Sequence, residues 1–379
     1  MSQNSRTLLS LLIIVAVVIA CGLLASALSP ALAVYDVFPV WSPAGQAIAF
    51  VCYRPFLEIT VDLSQLFEPI EDDYIDDKPQ YAEICSTAPD GSNRRQLTHN
   101  HAADNHPVWS PDGAQIAFVS DRDGNRALYI MNSDGSKQRR IARTGTVADH
   151  VWSPDGKKIA FLQGAGFEFV LTVLDLATGD DRQLVTGIVD FPVWSPDSQM
   201  IAFVRAEEHF LQDECEIHVI QVDTGNEIMP AVRSACERVA WSPNGLYLAF
   251  VGPQTDRKDN VLSVLNLQTL ETSVVMRSDK RIFDDLIWTP DGNRILYPVE
   301  ISFPAQSDIF AVNADGSDPS QITSLSGSII LFGASSNVTL SPDGQQIAFM
   351  RGESAEAPKD SIKIWKINID GSGLVRLSP

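Results

Sequence analysis

One short phrase recurs seven times along this chain, and that repetition restricts the fold more than any other feature. The phrase is Trp-Ser-Pro-Asp-Gly or a close variant, and a run such as Ile-Ala-Phe usually follows it. Its copies span residues 41–45, 109–113, 152–156, 194–198, 241–245, 288–292 and 340–344. The basic unit of about 42 residues matches four short strands joined by tight turns. The chain is therefore an array of one small unit, which makes single-site chemistry the weaker hypothesis.

The second copy shows how one unit is built. Apolar strands over 106–109 and 115–119 flank a turn at 110–113, where Pro restricts φ, Asp bonds back to the backbone and Gly takes a positive φ. A third strand covers 128–131, and a more polar fourth strand covers 138–141, as expected for an outer edge. The pattern predicts strand, tight turn, strand, loop, strand, tight turn, strand.

The repeat predicts an all-β fold, a seven-bladed β-propeller of four-stranded antiparallel blades. A single blade cannot bury both of its faces, so the recurring Trp is interpreted as a wedge between neighbouring blades. Residues 1–33 form a separate signal or anchor segment, an N-terminal apolar helix that precedes the propeller of residues 34–379. The predicted blades are 34–100, 101–145, 146–187, 188–232, 233–279, 280–325 and 326–379.

The Trp-Ser-Pro-Asp-Gly-x-x-Ile-Ala-Phe phrase resembles the repeat of TolB-type β-propellers, the WD40-like PD40 repeat. The resemblance covers 34–379. TolB places an α/β domain ahead of a smaller propeller, so this chain is expected to be a free-standing, seven-bladed member. The resemblance implies that the mouth of the central channel receives a protein partner.

The chain is acidic, with a net charge of −20. Such a surface repels nucleic acid and anionic lipid, and it suits basic partners or cations. Residues 8–28 are uncharged and mostly apolar, and Arg6 precedes them, which predicts a propeller outside the cytoplasm. This segment is an uncleaved anchor, a signal peptide cut after residues 31–33, or a lipoprotein leader with lipidated Cys21.

Four cysteines lie beyond the apolar segment, and they allow three pairings. Cys52 and Cys85 fall in neighbouring strands of blade 1, and Cys215 and Cys236 fall at the junction of blades 4 and 5. The predicted disulfides are therefore Cys52–Cys85 and Cys215–Cys236. Zinc is the alternative, but no CxxC or HxxxH spacing favours it.

The loops between second and third strands carry nearly all of the length variation, and they share one face, here called the variable face. Binding specificity is commonly built on such loops. The longest is the blade 1 insertion, residues 55–80, which holds eight acids and one base, among them Asp72 and Asp73 beside Tyr74. This insertion is either an arm that docks a partner or a solvated excursion. A bound cation such as calcium is the one cofactor that its carboxylates would accommodate.

Acidic residues also recur three to five positions before the Trp of successive blades, where the chain enters the central channel. They are Asp104, Asp149, Asp190, Glu237 and Asp284, with His106 and His150 beside them. A ring of carboxylates there would bind a basic or extended peptide segment. The alternative is that each acid accepts a hydrogen bond from local backbone N–H groups.

The chain contains no G-x-S-x-G, H-E-x-x-H or Walker motif. The sequence therefore predicts a monomeric, non-enzymatic scaffold that binds another protein through its acidic variable face, without a required cofactor. The alternative is an enzyme acting on carbohydrate or peptide at the channel mouth, with Asp149, His150 and Asp190 as its site.

Overall fold

A computed structural model describes residues 36–53, 82–142, 145–165, 168–187, 189–206, 215–234, 239–252, 260–282, 286–302, 306–324, 329–330, 338–351 and 362–377. Within these ranges the regular structure is all β. The strands are β1 (Asp36–Trp41), β2 (Ile48–Tyr53), β3 (Ala82–Thr87), β4 (Arg95–Gln96), β5 (Asp104–Trp109), β6 (Gln115–Ser120), β7 (Ala127–Asn132), β8 (Arg139–Arg140), β9 (Val147–Trp152), β10 (Lys158–Ala165), β11 (Glu168–Asp175), β12 (Asp181–Gly187), β13 (Val189–Trp194), β14 (Met200–Ala206), β15 (Cys215–Gln221), β16 (Val232–Ser234), β17 (Ala240–Trp241), β18 (Tyr247–Gly252), β19 (Asn260–Asn266), β20 (Thr272–Ser278), β21 (Ile287–Trp288), β22 (Arg294–Ser302), β23 (Gln306–Asn313), β24 (Ser320–Gln321), β25 (Ile329–Ile330), β26 (Val338–Leu340), β27 (Gln346–Arg351), β28 (Lys363–Asn368) and β29 (Val375–Arg376).

The strands form seven antiparallel, four-stranded blades, as the repeat predicts. Strands β1 to β20 make five separate sheets of four consecutive strands each. Blades 6 and 7 differ, because β25 pairs with both β23 and β27 and joins them into one sheet. Strand β23 begins at Gln306, but its pairing with β24 begins only at Phe310. The residues of β23 before Phe310 are therefore open to a second partner, and β25 pairs with Gln306 and Ser307 there.

The tight turn after each first strand is held by its own side chains. Ser110 Oγ donates to the Asp112 carboxylate at 2.6 Å and accepts from the Gln115 N–H at 2.9 Å. The hydrogen bond from Ser110, together with one from the Ala114 N–H, holds the pKa of the Asp112 carboxyl below its usual value. Gly113 completes the turn at φ +69°, a conformation that costs glycine no Cβ clash. The same hydroxyl-to-Asx bond recurs in Ser153–Asp155, Ser195–Asp197, Ser242–Asn244, Thr289–Asp291 and Ser341–Asp343.

The recurring tryptophan links each blade to the one before it. Five indole Nε1–H groups donate to the backbone carbonyl that precedes the tryptophan position of the preceding blade. The pairs, at 3.0–3.2 Å, are Trp109–Val40, Trp152–Val108, Trp194–Val151, Trp241–Val193 and Trp288–Ala240. The predicted wedge is thus also a hydrogen-bond donor. Blade 7 lacks the donor because Leu340 replaces tryptophan, and the buried Trp41 Nε1 finds no acceptor among the described residues.

The ring closes by packing between blades 7 and 1. A Cβ on Gly45 would lie 3.7 Å from Pro342 Cδ, the same distance as for Gly113 and Pro43 at the next junction. The Asp36 N–H also donates to the Ile362 carbonyl at 3.3 Å. Within the described residues, no sheet combines strands from both ends of the chain.

The apolar core lies between the blades. Hydrophobic clusters of the described residues occupy all seven junctions. Alternation along β6 shows why: Ile116 and Phe118 face blade 1, while Ala117 joins the cluster that contains Trp152 of blade 3. The Ile-Ala-Phe run therefore presents large side chains to one neighbour and a small one to the other.

Candidate functional site

Asp104, the first residue of β5, forms a buried ion pair with Arg122. Its carboxylate is fully buried and lies 2.9 Å from Arg122 Nη2, and Asn100 Nδ2 donates to it at 2.7 Å. The Arg122 guanidinium also lies over the rings of Phe118 and Tyr129, with 5.3 and 4.7 Å to the centroids. This carboxylate therefore braces blade 2 from inside and is not presented at the surface.

Blade 1 contains an equivalent pair that the sequence analysis missed. Asp36, five residues before Trp41 as Asp104 is before Trp109, is fully buried and accepts two hydrogen bonds from Arg94 at 2.7 and 2.8 Å. The matching spacing before the tryptophan was the signal that could have identified it.

His106 lies at a backbone irregularity that repeats along the inner strands. Phe38, His106 and Phe191 occupy equivalent positions with φ of 56°, 54° and 53°. The pairing of each strand with its neighbour shifts there, as in a β-bulge. The rings of Phe38 and His106 stack across the junction of blades 1 and 2, with centroids 5.8 Å apart. The bulges thus bring adjacent inner strands into side-chain contact.

Asp149 and Asp190 accept hydrogen bonds from the residues that follow them. Asp149 Oδ1 accepts from the His150 N–H and Asp190 Oδ1 from the Phe191 N–H, both at 2.8 Å. This is the local bonding that the sequence offered as the alternative. His150 is 3% exposed. Burial lowers its imidazole pKa, while the Asp149 charge and the Ala117 backbone partly oppose that shift. His150 is therefore neutral at pH 7.

The disulfide between Cys52 and Cys85 is confirmed. Their Cα atoms lie 5.8 Å apart in β2 and β3, the two strands that flank the 55–80 insertion. Both residues are buried. Cys215 is also disulfide-bonded, while Cys236, the partner predicted for it, lies outside the described residues.

Several predicted site residues lie outside the described part of the chain: Glu237, Asp284, Asp72, Asp73, Tyr74 and Cys21. In the part that is described, no group of three or more His, Cys, Asp and Glu side chains could hold a metal ion. Over those same ranges no helix is long and apolar enough to cross a membrane, and the predicted segment 8–28 lies outside them.

In blades 1 to 4, the start of the inner strand is thus a hydrogen-bonded frame at the base of the variable face. Buried ion pairs, backbone caps and a disulfide hold the residues from which the long loops depart. Such a frame positions loops for binding, since function concentrates on loops carried by a rigid scaffold.

Curated relatives match short segments of the chain. A 45-residue segment is 47% identical to the uncharacterized peptidase YuxL of Bacillus subtilis, covering 12% of this chain and 7% of that protein. The Tol-Pal system protein TolB of Geobacter sulfurreducens is 39% identical over 68 residues, 18% and 16% of the two chains. The TolB homolog of Chlorobium luteolum is 30% identical over 112 residues, 25% and 26%. The matches thus span about a quarter or less of these relatives.

Solved structures share the fold at low identity. A puromycin-hydrolyzing peptidase of Mycobacterium tuberculosis is 14% identical with a TM-score of 0.64, covering 91% of this chain and 53% of its own. The β-propeller domain of the Trilobed protease from Pyrococcus furiosus is 12% identical with a TM-score of 0.63, covering 91% and 96%. An oligogalacturonate lyase in complex with manganese is 14% identical with a TM-score of 0.59, covering 78% and 81%. These likenesses show the fold alone.

The repeat itself identifies the family. The family model described as the TolB beta propeller domain, PD40, matches residues 81–209 and 188–379. These ranges cover well over half of the chain and include six of the seven copies of the phrase. The chain therefore belongs to the TolB beta propeller family.

Proposed function

We propose that this protein is an extracytoplasmic scaffold that binds a partner protein through the variable face of its propeller. The observation that carries the proposal is the disulfide-clamped base of the blade 1 insertion. The relatives named TolB belong to the Tol-Pal system, so a protein-binding role has precedent in the family.

The clamp fixes the point from which the acidic insertion leaves the propeller. Cys52 is the penultimate residue of β2, and it pairs with Asp36 on one side and Glu83 on the other. The disulfide and the Asp36–Arg94 ion pair therefore restrain all three strands at this corner. A restrained base lowers the entropy that a binding loop loses when it engages a partner.

The negative charge of the insertion indicates which kind of partner it would bind. The insertion contributes eight acids and one base to a chain of net charge −20. Complementary potential accelerates encounter and selects among partners, so the partner is expected to present a basic or extended segment. Asp149 and Asp190 lie at the base of the same face. We propose that they contact the partner in addition to the insertion.

The disulfides also support the proposed compartment. Structural disulfides persist in oxidising environments such as the periplasm and the cell surface. We place the propeller there, held to the membrane by the apolar segment 8–28.

The test is a crosslinking pull-down from cell envelopes with the full chain and with a variant in which 55–80 is replaced by a short Gly-Ser linker. A matched control shortens the blade 4 loop, residues 207–214. We expect one basic partner that the full chain and the control capture and the deletion variant does not. Equal capture by all three proteins contradicts the proposal.

A second arm separates binding from catalysis. Asp149→Lys with Asp190→Lys is expected to abolish capture while the propeller stays folded by circular dichroism. Turnover of a polysaccharide or peptide by the full chain, lost in this double variant, would instead support the enzymatic alternative.

A further inference from the structure

A second surface lies on the opposite face, at the outer edge of the junction between blades 2 and 3. It is a cleft of about 420 Å³, here called the rim cleft, lined by residues that include Arg139, Arg140, Ile141, Leu174, Leu176 and Gly179. Its walls are the outer strand β8 of blade 2 and the turn between β11 and β12 of blade 3. Its described lining residues belong to none of the loops of the variable face.

Five of the other six junctions are filled at the equivalent place. In four of them, the glycine in the turn between the third and fourth strands of one blade packs on a backbone carbonyl of the preceding blade. A Cβ on that glycine would lie 2.5–3.1 Å from the carbonyl oxygen in the pairs Gly91–Leu377, Gly135–Leu97, Gly316–Val275 and Gly371–Ile322. Between blades 3 and 4, the Arg182 guanidinium fills the place and donates to the carbonyls of Val222 and Asp223.

The turn between the third and fourth strands is one residue longer in blade 3 than in blade 2. Blades 4 and 5 share the longer turn, and Arg182 occupies the space at the junction of blades 3 and 4. In blade 2 the turn is closed by the Asn132 N–H bonding to the Ser136 carbonyl, four residues on. In blade 3 the Asp175 N–H bonds to the Asp180 carbonyl, five residues on. The longer turn of blade 3 meets the outer strand of blade 2, and Gly179 lines the open space between them.

The cleft combines an apolar floor with the guanidinium group of Arg139. Leu174 is buried, and Ile141 and Leu176 are partly buried. Arg139 pairs with Ile130, whose side chain packs toward blade 3, so Arg139 shares the face that borders the cleft. Arg139 is exposed, and its guanidinium forms neither a hydrogen bond nor an ion pair within the described part of the chain.

The charged residues that line the cleft are Arg139 and Arg140 from blade 2 and Asp175 from blade 3. Two of the three are engaged within the chain. Arg140 lies 3.7 Å from the Asp123 carboxylate, and the Asp175 carboxylate accepts the N–H groups of Ala177 and Thr178 in its own turn. Arg139 is therefore the lining charge that the cleft offers to a ligand.

We propose that the rim cleft binds an acidic peptide segment, with an apolar side chain on the Ile141–Leu176 floor and a neighbouring carboxylate paired with Arg139. A guanidinium suits this role because its planar fork matches a carboxylate. The chain would thus carry two docking surfaces of opposite charge on opposite faces.

The test measures fluorescence anisotropy of a labelled peptide, Gly-Ser-Glu-Leu-Glu-Ser-Gly, with the full chain. Arg139→Gln is expected to weaken binding about two- to fivefold, the range for an exposed ion pair. Leu176→Ser is expected to weaken it comparably, with folding checked by thermal melting. Peptides with Gln for Glu, or Ser for Leu, should bind more weakly.

The repeat supplies a matched control. Arg95 occupies in β4 the position that Arg139 occupies in β8, but it borders the junction that Gly135 fills. Arg95→Gln should leave the affinity unchanged. Equal losses in Arg95→Gln and Arg139→Gln would mean non-specific attraction and overturn the proposal. So would an absence of binding at about 1 mM peptide, the weakest affinity of interest.

Discussion

The tryptophan links between blades give the sharpest test of how the repeat stabilises this propeller. Trp109 and Trp41 are matched sites: both are buried, at 8% and 6% exposure, and both end the inner strand of a blade. They differ in one contact. Trp109 Nε1 donates to the Val40 carbonyl at 3.2 Å, while Trp41 Nε1 has no hydrogen-bond partner within the described residues.

Replacing either tryptophan by phenylalanine removes a similar apolar area, so that contribution cancels in the comparison. Trp109→Phe also removes the hydrogen bond from the indole to the Val40 carbonyl, whereas Trp41→Phe removes a buried N–H that has no acceptor among the described residues. We therefore expect the free energy of unfolding to fall by about 1–2 kcal/mol more in Trp109→Phe than in Trp41→Phe.

Urea denaturation followed by far-ultraviolet circular dichroism measures the difference, because that probe does not depend on tryptophan emission. The two variants should show equal m-values and separate midpoints. Trp152→Phe, whose indole bonds to Val108 at 3.2 Å, should behave like Trp109→Phe. If Trp41→Phe is as destabilising as the other two, the indole hydrogen bond does not hold the blades together.

Three further perturbations test the site. Asp104→Asn leaves the Arg122 charge without its buried partner, so it should destabilise the fold by about 2–3 kcal/mol in urea unfolding, and no loss would mean that the pair is not structural. Cys52→Ser opens a loop of 33 residues and should cost about 3–4 kcal/mol; unchanged midpoints would refute the clamp formed with Cys85. Burial lowers the pKa of His150, so the unfolded chain binds the extra proton first as pH falls, and stability should decline below about pH 6.5. His150→Gln should flatten that decline in melting temperature between pH 7.5 and 5.5, and an identical slope would contradict it.

The strand pattern was predictable because its determinants are local. Proline, Asx and glycine at 111–113 specify a turn whatever surrounds them, and alternating Ile and Phe specify a strand with one buried face. The disulfide between Cys52 and Cys85 was also predictable, since both residues fall in neighbouring strands of one blade.

The roles of individual acids were harder to predict. Asp104 and Asp149 look alike in the sequence, as acids shortly before a tryptophan. One is a buried partner of Arg122 and the other caps the N–H of His150. The difference between their roles depends on the strand register and on which basic side chain reaches the carboxylate. Neither can be predicted from the residues next to the acid.

By itself, the sequence determined the architecture: a period of about 42 residues with one turn motif implies identical blades, and blades that cannot bury their own faces must stack. Only the tertiary structure decided how the blades meet. Three features arise where one blade contacts another. They are the joining of blades 6 and 7 by β25, the lack of an acceptor for Trp41 Nε1 among the described residues, and the open rim cleft beside Arg139. The physical reason is that turn chemistry acts within a few residues, whereas contacts between blades join atoms that lie about 40 or more residues apart and depend on how both surfaces are filled.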